Sequence, residues 1–412
     1  MKERLRKNNV GKCLAVGIIL LFVGTCIIPA IAQDTEKPLP TSRGNWLYVG
    51  GSGPGNYSTI QNAINNASSG DTIFVFNGIY YEVITMNKSI SLLGEDRSTT
   101  IIDGHKSGIT LSITTDEVIV DGFTIRNSSL QWHVDIGIYM ISNKSVISHC
   151  IITNNRNNLH ILSSSDTIIS DCIIDDSDNI GLLMQYPAKN NKIFNCTFKN
   201  NWRYGIDLEH ATYCNLSFLS ISNNADNGVD SGIYMNGAEN TTISYCNITN
   251  HGDGISLGQS TYNNILHCIF SSNNIAIDPH FKSDNNIISM CTFSNNGAGV
   301  ELDSTGENMI SLCNFSYNQF GVLSTTTESN TIFHNNFFNN KYHGFFLGFN
   351  SAYWDGNYWD NWKGFGKKII FGLTLPKFKI FPFYFLDFFP IVPSYTFDQH
   401  PAKEPYVIPG MR

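Results

Sequence analysis

Apolar positions along the chain fall into three columns that recur every 22 to 27 residues. The middle column runs Phe123, Cys150, Cys172, Cys196, Leu219, Cys246, Cys268, Cys291, Cys313 and Asn335. An aliphatic residue stands three places before each, from Val120 and Ile147 to Ile332, and Ile or Phe stands two places after, from Ile125 and Ile152 to Phe337. A unit this short cannot bury its own apolar side chains, so it must stack on its neighbours as a solenoid. The middle and following columns share strand parity; the preceding one does not, so a corner or bulge must lie between them. Each repeat then carries a Gly-aliphatic-x-aliphatic segment, such as Gly205-Ile206-Asp207-Leu208. Three short strands per repeat, with no helix-period stretch between them, predict an all-β parallel β-helix of about 22 residues per coil. Its coils should stack about 4.8 Å apart, the strand spacing of any sheet. A leucine-rich repeat would need a fuller leucine consensus and a helix in each unit, and neither is present.

Both ends break the pattern. Ser58-Thr59-Ile60-Gln61 has the form of a capping box, and Ile60, Ala63, Ile64 and Ala67 follow at helical spacing. This predicts a short helix over Thr59–Ala67 that covers the open end of the stack, within an N-terminal cap spanning 45–71. The β-helix is expected over 72–349, starting with a strand at Thr72–Phe76. Residues 350–412 are read as an irregular aromatic cap, with the Trp354–Trp362 stretch as a lid. Within it Phe381, Phe383, Phe385, Phe388 and Phe389 lie among Pro376, Pro382, Pro390 and Pro393, which exclude a membrane-spanning helix. Residues 1–32 have a basic start, an apolar run and a small-x-small site at Ala30-Ile31-Ala32, the form of a cleaved secretory signal. The run is also long enough for an N-terminal anchor. Either reading places the protein outside the cytoplasm: secreted, periplasmic or on the cell surface, with no transmembrane span if the signal is removed.

Charged residues make up 15% of the chain and the net charge is −8, which argues against nucleic acid or an anionic membrane as partner. Eight cysteines follow the signal; seven occupy the ladder and Cys214 does not. Side chains stacked one coil apart point the same way, so they are predicted to be free buried thiols without disulfides. No Cys-x-x-Cys or His-x-x-x-His spacing supplies a metal site. Asn127, Asn154, Asn200, Asn223, Asn250, Asn295 and Asn339, each four places after a ladder residue, are read as left-handed turn residues whose amides stack from coil to coil.

The segments Tyr57–Ile64, Gly70–Val75, Gly78–Glu82, Lys88–Gly94 and Ile101–Gly104 resemble the opening of NosD-like right-handed β-helix proteins. These belong to the wider group of β-helix domains found in carbohydrate-binding and sugar-processing proteins. The resemblance implies a right-handed coil and a secreted or surface location. It also implies copper, through the founding member's part in maturing a copper enzyme, or a similar accessory role.

Candidate chemistry lies on the third strand, where the residue between the two inward aliphatics should face solvent. Down the coils this column reads Tyr139, His160, Leu183, Asp207, Tyr234, Ser256, Asp278, Glu301, Leu323 and Phe346. Two places on come Glu209, His280 and Asp303. Asp278, His280, Glu301 and Asp303 thus form an ionisable patch about 5 Å between coils, able to act as a base or to hold Ca²⁺. Asp278-Pro279-His280 resembles the Asp-Pro-His-acidic motif of mannuronan C5-epimerases, with Phe281 departing at the fourth position. That resemblance implies catalytic roles for Asp278 and His280. Asp207-Leu208-Glu209-His210 is a second partial match, roughly 14 Å away along the axis. Asp207, Glu209 and Arg203, with Tyr234, Tyr139, Trp132 and Trp202 as aromatic platforms, are the substrate-binding candidates. The leading expectation is a protein that binds polysaccharide or surface glycan in the groove over the third strand, without turnover. The alternatives are a C5-epimerase or lyase acting on uronic-acid polymers, and a structural surface protein.

Overall fold

The computed structural model describes residues 44–128, 135–224, 230–327, 329–350, 352–374 and 392–408. The expected signal at 1–32, Trp132, and the phenylalanines from Phe381 to Phe389 lie outside the described residues. The chain winds into a parallel β-solenoid of about 14 turns. One ladder of 13 strands runs from Gly78–Tyr81 to Tyr358–Trp359, and a 28-stranded sheet joins the other two ladders. Each strand pairs in register with those one coil before and after, as Val146–Ser148 does with Ile119–Asp121 and Ile168–Ser170.

The parity conflict is resolved by one residue. The position before each ladder residue has left-handed backbone: His149, Asp171, Asn195, Phe218, Tyr245 and His267 all have φ between 49° and 57°. The chain kinks there, so the residues before and after it both point inward. Ile147, Cys150 and Ile152 are accordingly all fully buried. Left-handed backbone costs about 1–2 kcal/mol in a non-glycine residue. Each kink N–H finds a carbonyl one coil on, as His149 N does on Ser170 O at 3.1 Å.

The interior is built of columns. Phe270, Phe293, Phe315, Phe337 and Trp359 stack face to face, with ring centroids 4.5–5.1 Å apart and planes within 10°. All eight described cysteines are free and buried. The asparagines do two jobs. Asn127, Asn154, Asn200, Asn223, Asn250, Asn295 and Asn339 take the left-handed turn, with φ of 50–69°. The main amide ladder, expected from these residues, is instead formed by their inward neighbours. Asn273 Nδ2 donates to Asn296 Oδ1 at 3.1 Å, and Asn296 Nδ2 to Asn318 Oδ1 at 3.0 Å. The turn residue projects outward, while the next one faces a dry interior where its amide must be satisfied. His251 takes one place in this column, 6% exposed, and burial drives its pKa down to about 4.

The ends differ from expectation in four ways. A strand at Trp46–Val49 precedes Thr72–Val75 and pairs with it. The helix is Ile60–Asn66, capped by Thr59, and its first N–H groups reach Glu82, 21–22 residues ahead, rather than closing a local box. At the other end Trp354 pairs with Ile332 and Trp359 with Phe337, so the Trp354–Trp359 stretch is a further coil in register and not a lid outside the stack. Beyond it Lys368–Thr374 and Val392–Asp398 form an antiparallel ribbon, a regular element where an irregular cap was expected. Buried Asp398 accepts bonds from Gly356 N, Asn357 N and Trp359 Nε1, satisfying the last coil.

Candidate functional site

The third strand of most central coils is six residues long, against three for the others, and its outer face carries the non-repetitive side chains. Its glycines let successive backbones approach. A Cβ on Gly205 would lie 2.7 Å from Gly232 O, and one on Gly181 2.5 Å from Gly205 O. Register places Tyr139 beside His160, then Leu183, Asp207, Tyr234, Ser256 and Asp278 in one column. Gln185, Glu209, Asn236, Gly258 and His280 make a second. At the far end Leu323 pairs with Phe345, while Phe346 is 4% exposed and belongs to the core. The expected column was therefore one residue out there, because Gly344 pairs with Val322 rather than with Gly321, so the strand glycine of this coil sits one place off the repeat.

The face is less exposed than strand alternation predicts. Ile180, Leu183 and Tyr204 form a small apolar cluster with Tyr234, outside the main core. Tyr204 and Tyr234 stack at 4.9 Å with planes 7° apart. Arg203 lies 4.8 Å over the Tyr204 ring, and its Nε is 3.7 Å from Asp230 Oδ1. Against this floor Asp207 is 4% exposed, and its Oδ1 has no hydrogen-bond partner. Burial and then the Glu209 charge push its pKa up to about 7, against the pull of Arg203. Burial lifts the Tyr204 phenol to about 12; Arg203 opposes the rise, and Asp230 and Asp207 add to it.

Further along, the expected Asp278 patch gains a member. Asp253, three places before Ser256, pairs with Ile275. Burial and then Asp278 push its pKa up to about 7, His280 opposes, and Glu301 and Asp230 contribute. Glu301 is raised by burial, then by Asp278 and Asp303. His280 Nδ1 donates to Asp278 Oδ2 at 3.1 Å, and this bond raises the imidazole pKa against burial. His280 therefore holds its proton more tightly than a free imidazole. Arg203 lies three coils from Asp278, and no Arg or Lys contributes to the shifts at Asp253, His280 or Glu301.

The site thus has two parts: an aromatic half around Arg203, Tyr204, Asp207, Glu209 and Tyr234, and an acidic half around Asp253, Asp278, His280, Glu301 and Asp303. Asp230 links them electrostatically. Tyr139 packs edge-on against His160 at 5.4 Å, apart from the Tyr204–Tyr234 stack, and Trp202 is half exposed. Sequence reading missed Tyr204, Asp230 and Asp253. The residue before each strand glycine, as in Tyr204-Gly205 and Asp253-Gly254, was the available signal for two of them.

These features define a parallel β-helix whose long-strand face carries non-repeating polar and aromatic side chains. A family profile described as "Periplasmic copper-binding protein (NosD)" matches residues 64–280, and one described as right-handed β-helix region matches 220–358. The chain belongs to the NosD family, and the coil is right-handed by that membership. No curated protein matches the sequence. Among solved structures, the catalytic domain of a GH87 α-1,3-glucanase in complex with nigerose is similar at 12% identity, covering 75% of this chain and 66% of that one with a TM-score of 0.59. A DFA-IIIase from Arthrobacter chlorophenolicus is similar at 12% identity, covering 71% and 94% with a TM-score of 0.54. An Azotobacter vinelandii mannuronan C-5 epimerase A-module matches at 11% identity, covering 70% and 86%, with a TM-score of 0.47. These likenesses are of fold.

Proposed function

We propose that the protein is an extracytoplasmic glycan-binding β-helix whose ligand lies along the long-strand face, centred on Tyr204, Asp207 and Tyr234. The observation that carries this reading is the Asp207 carboxyl: nearly buried, one oxygen unpartnered, and set on an apolar and aromatic floor beside Arg203. A carboxyl held on such a floor is costly, and its other oxygen, which is not closed off, can accept from a sugar hydroxyl. Aromatic floors take the apolar faces of sugar rings, while a few placed polar groups fix orientation. The family's periplasmic description and the signal-like residues 1–32 support the location. Copper, which the family description carries, does not fit these residues. The thiols are buried one per coil, and among the described residues no group of three His, Cys, Asp or Glu could hold a metal ion. The same geometry offers no ready Ca²⁺ site at the acidic patch.

A second reading is turnover of the bound chain, as by a C5-epimerase or lyase. It is favoured by two carboxyls, Asp207 and Asp253, raised to about 7 on one face, since groups half-protonated at neutral pH suit general acid and base work. For uronate chemistry at Asp278 and His280 the cation to offset the substrate carboxylate would be His280 itself.

The test is a glycan array with wild type, Tyr234→Ala and Asp207→Asn, followed by product analysis on neutral and uronate polymers. Retention that both variants weaken, without products, is the expected result. New unsaturated ends, altered C5 stereochemistry or shortened chains would move the assignment to an enzyme. Retention of no glycan at all would sink the reading.

A further inference from the structure

The acidic half of the long-strand face holds more negative charge than it balances. Asp230, Asp253, Asp278, Glu301 and Asp303 are partly exposed and lie on four successive coils, whose strands Ser231–Asn236, Asp253–Gly258, Ile275–His280 and Ala298–Asp303 pair in register. None of these four strands contains Lys or Arg. Two cations border the carboxyls, and both are engaged. Arg203 lies over the Tyr204 ring with its Nε 3.7 Å from Asp230 Oδ1. His280 Nδ1 donates to Asp278 Oδ2 at 3.1 Å, and the imidazole leans over Gly258, where a Cβ would lie 3.3 Å from Nε2. Burial and then Asp278 raise the pKa of both Asp253 and Glu301, as like charges do when set close in a partly dry setting.

The carboxyls are spread rather than gathered. Among the described residues no group of three His, Cys, Asp or Glu could hold a metal ion, so a single bound cation does not answer them. Coils repeat about every 4.8 Å, close to the length of one sugar unit in an extended chain, so a ligand with a positive charge on successive units does. A second, independent sign of a ligand lies one coil before Asp230. Asp207 is 4% exposed; one of its oxygens is closed off without a partner and the other is not closed off. On the next coil Tyr234 stacks on Tyr204 through one ring face, and its opposite face turns away from Tyr204, toward the coil of Asp253.

We infer that the glycan of this face is an amino-sugar polymer with free amines, whose rings pass over Tyr234 and whose ammonium groups are received by Asp278, Glu301 and the carboxyls beside them. The inference rests on the glycan reading above and names the class of sugar. An ammonium group donates three charge-assisted hydrogen bonds and accepts none, so it suits a face made of acceptors. A uronate chain would set carboxylate against carboxylate, and an N-acetylated unit would leave these charges unanswered.

The test is calorimetry on the full chain with oligomers of glucosamine and of galactosamine, each with free and with N-acetylated amines, beside an oligomannuronate and spermine. At least one free-amine oligomer should bind about tenfold or more tighter than its acetylated form, and tighter than spermine, by a margin that shrinks as salt is added. Asp278→Asn and Glu301→Gln should each narrow that margin; Glu301→Gln serves if Asp278→Asn, which also releases His280, does not fold. Tyr234→Ala should weaken the free-amine oligomer and leave spermine unchanged. Equal binding of free and acetylated forms, tighter binding of mannuronate, spermine that matches the oligomers, or a margin indifferent to both carboxyl variants would overturn the inference. If the array retains neutral or acidic glycans and no free-amine oligomer is preferred, this inference fails and the glycan reading stands. If no glycan binds in either experiment, the glycan reading fails and takes this one with it.

Discussion

The inside of the coil and the outer face of its long strands obey opposite rules. Inside, one residue type repeats until it forms a column: Phe on Phe, Cys on Cys, Asn on Asn. Outside, the column from Tyr139 to Glu301 hardly repeats at all. A parallel stack places like on like, so repetition is the cheapest way to satisfy the interior, where every ring must pack and every amide must find a partner. The outer face is free of that demand. Its departures from repetition, above all a buried carboxyl in an aromatic setting, are where the chain gives up stability.

Substitutions can break this contrast from either side. The largest effect should come from the interior. Phe293→Ala removes the ring between Phe270 and Phe315 and should cost about 4 kcal/mol in denaturant unfolding; a loss under 1 kcal/mol would show that the column is not what holds the stack. On the outer face Asp207→Asn should do the reverse. Its folded carboxyl has a pKa of about 7 against 3.8 when free, so ionisation favours the unfolded chain, and stability is lost as pH rises from about 4 to about 7. At pH 8 the amide variant should be more stable by about 4 kcal/mol and should bind glycan less well. Equal stability at pH 8 would remove the argument that this face trades stability for binding.

Asn296→Ala comes next. It strips partners from Asn273 and Asn318 and from Phe270 O, and should cost about 3 kcal/mol. The smallest effect sharpens the contrast from within the core. His251 stands in the asparagine column with its pKa lowered to about 4. Stability contributed by the neutral ring is therefore lost as pH falls from about 6.5 to about 4. His251→Asn should restore the column and gain about 2 kcal/mol at pH 5, with little change at pH 8. A gain of equal size at both pH values would mean that packing, not protonation, sets the difference.

Much of the fold could be read from spacing. The columns, the parity conflict and the free thiols follow from residue order, because a coil and its neighbours are related by a nearly constant offset. The same logic located Asp207, Tyr234, Asp278, His280 and Glu301 on one face. It failed where a glycine sits one place off the repeat, at Gly344 before Phe346, and where contact is made outside the repeat, as by Glu82 on the helix and Asp398 on the last coil.

The sequence alone determined the solenoid, since a unit of some two dozen residues has no other way to bury its apolar side chains. Only the tertiary structure decided which outward residues are outward in name and buried in fact. Asp207 and Asp253 differ from solvated acids elsewhere in the chain through what covers them, and cover is a property of surrounding coils that no local pattern encodes. Burial sets the cost of a charge, so the candidate chemistry emerged with the packing.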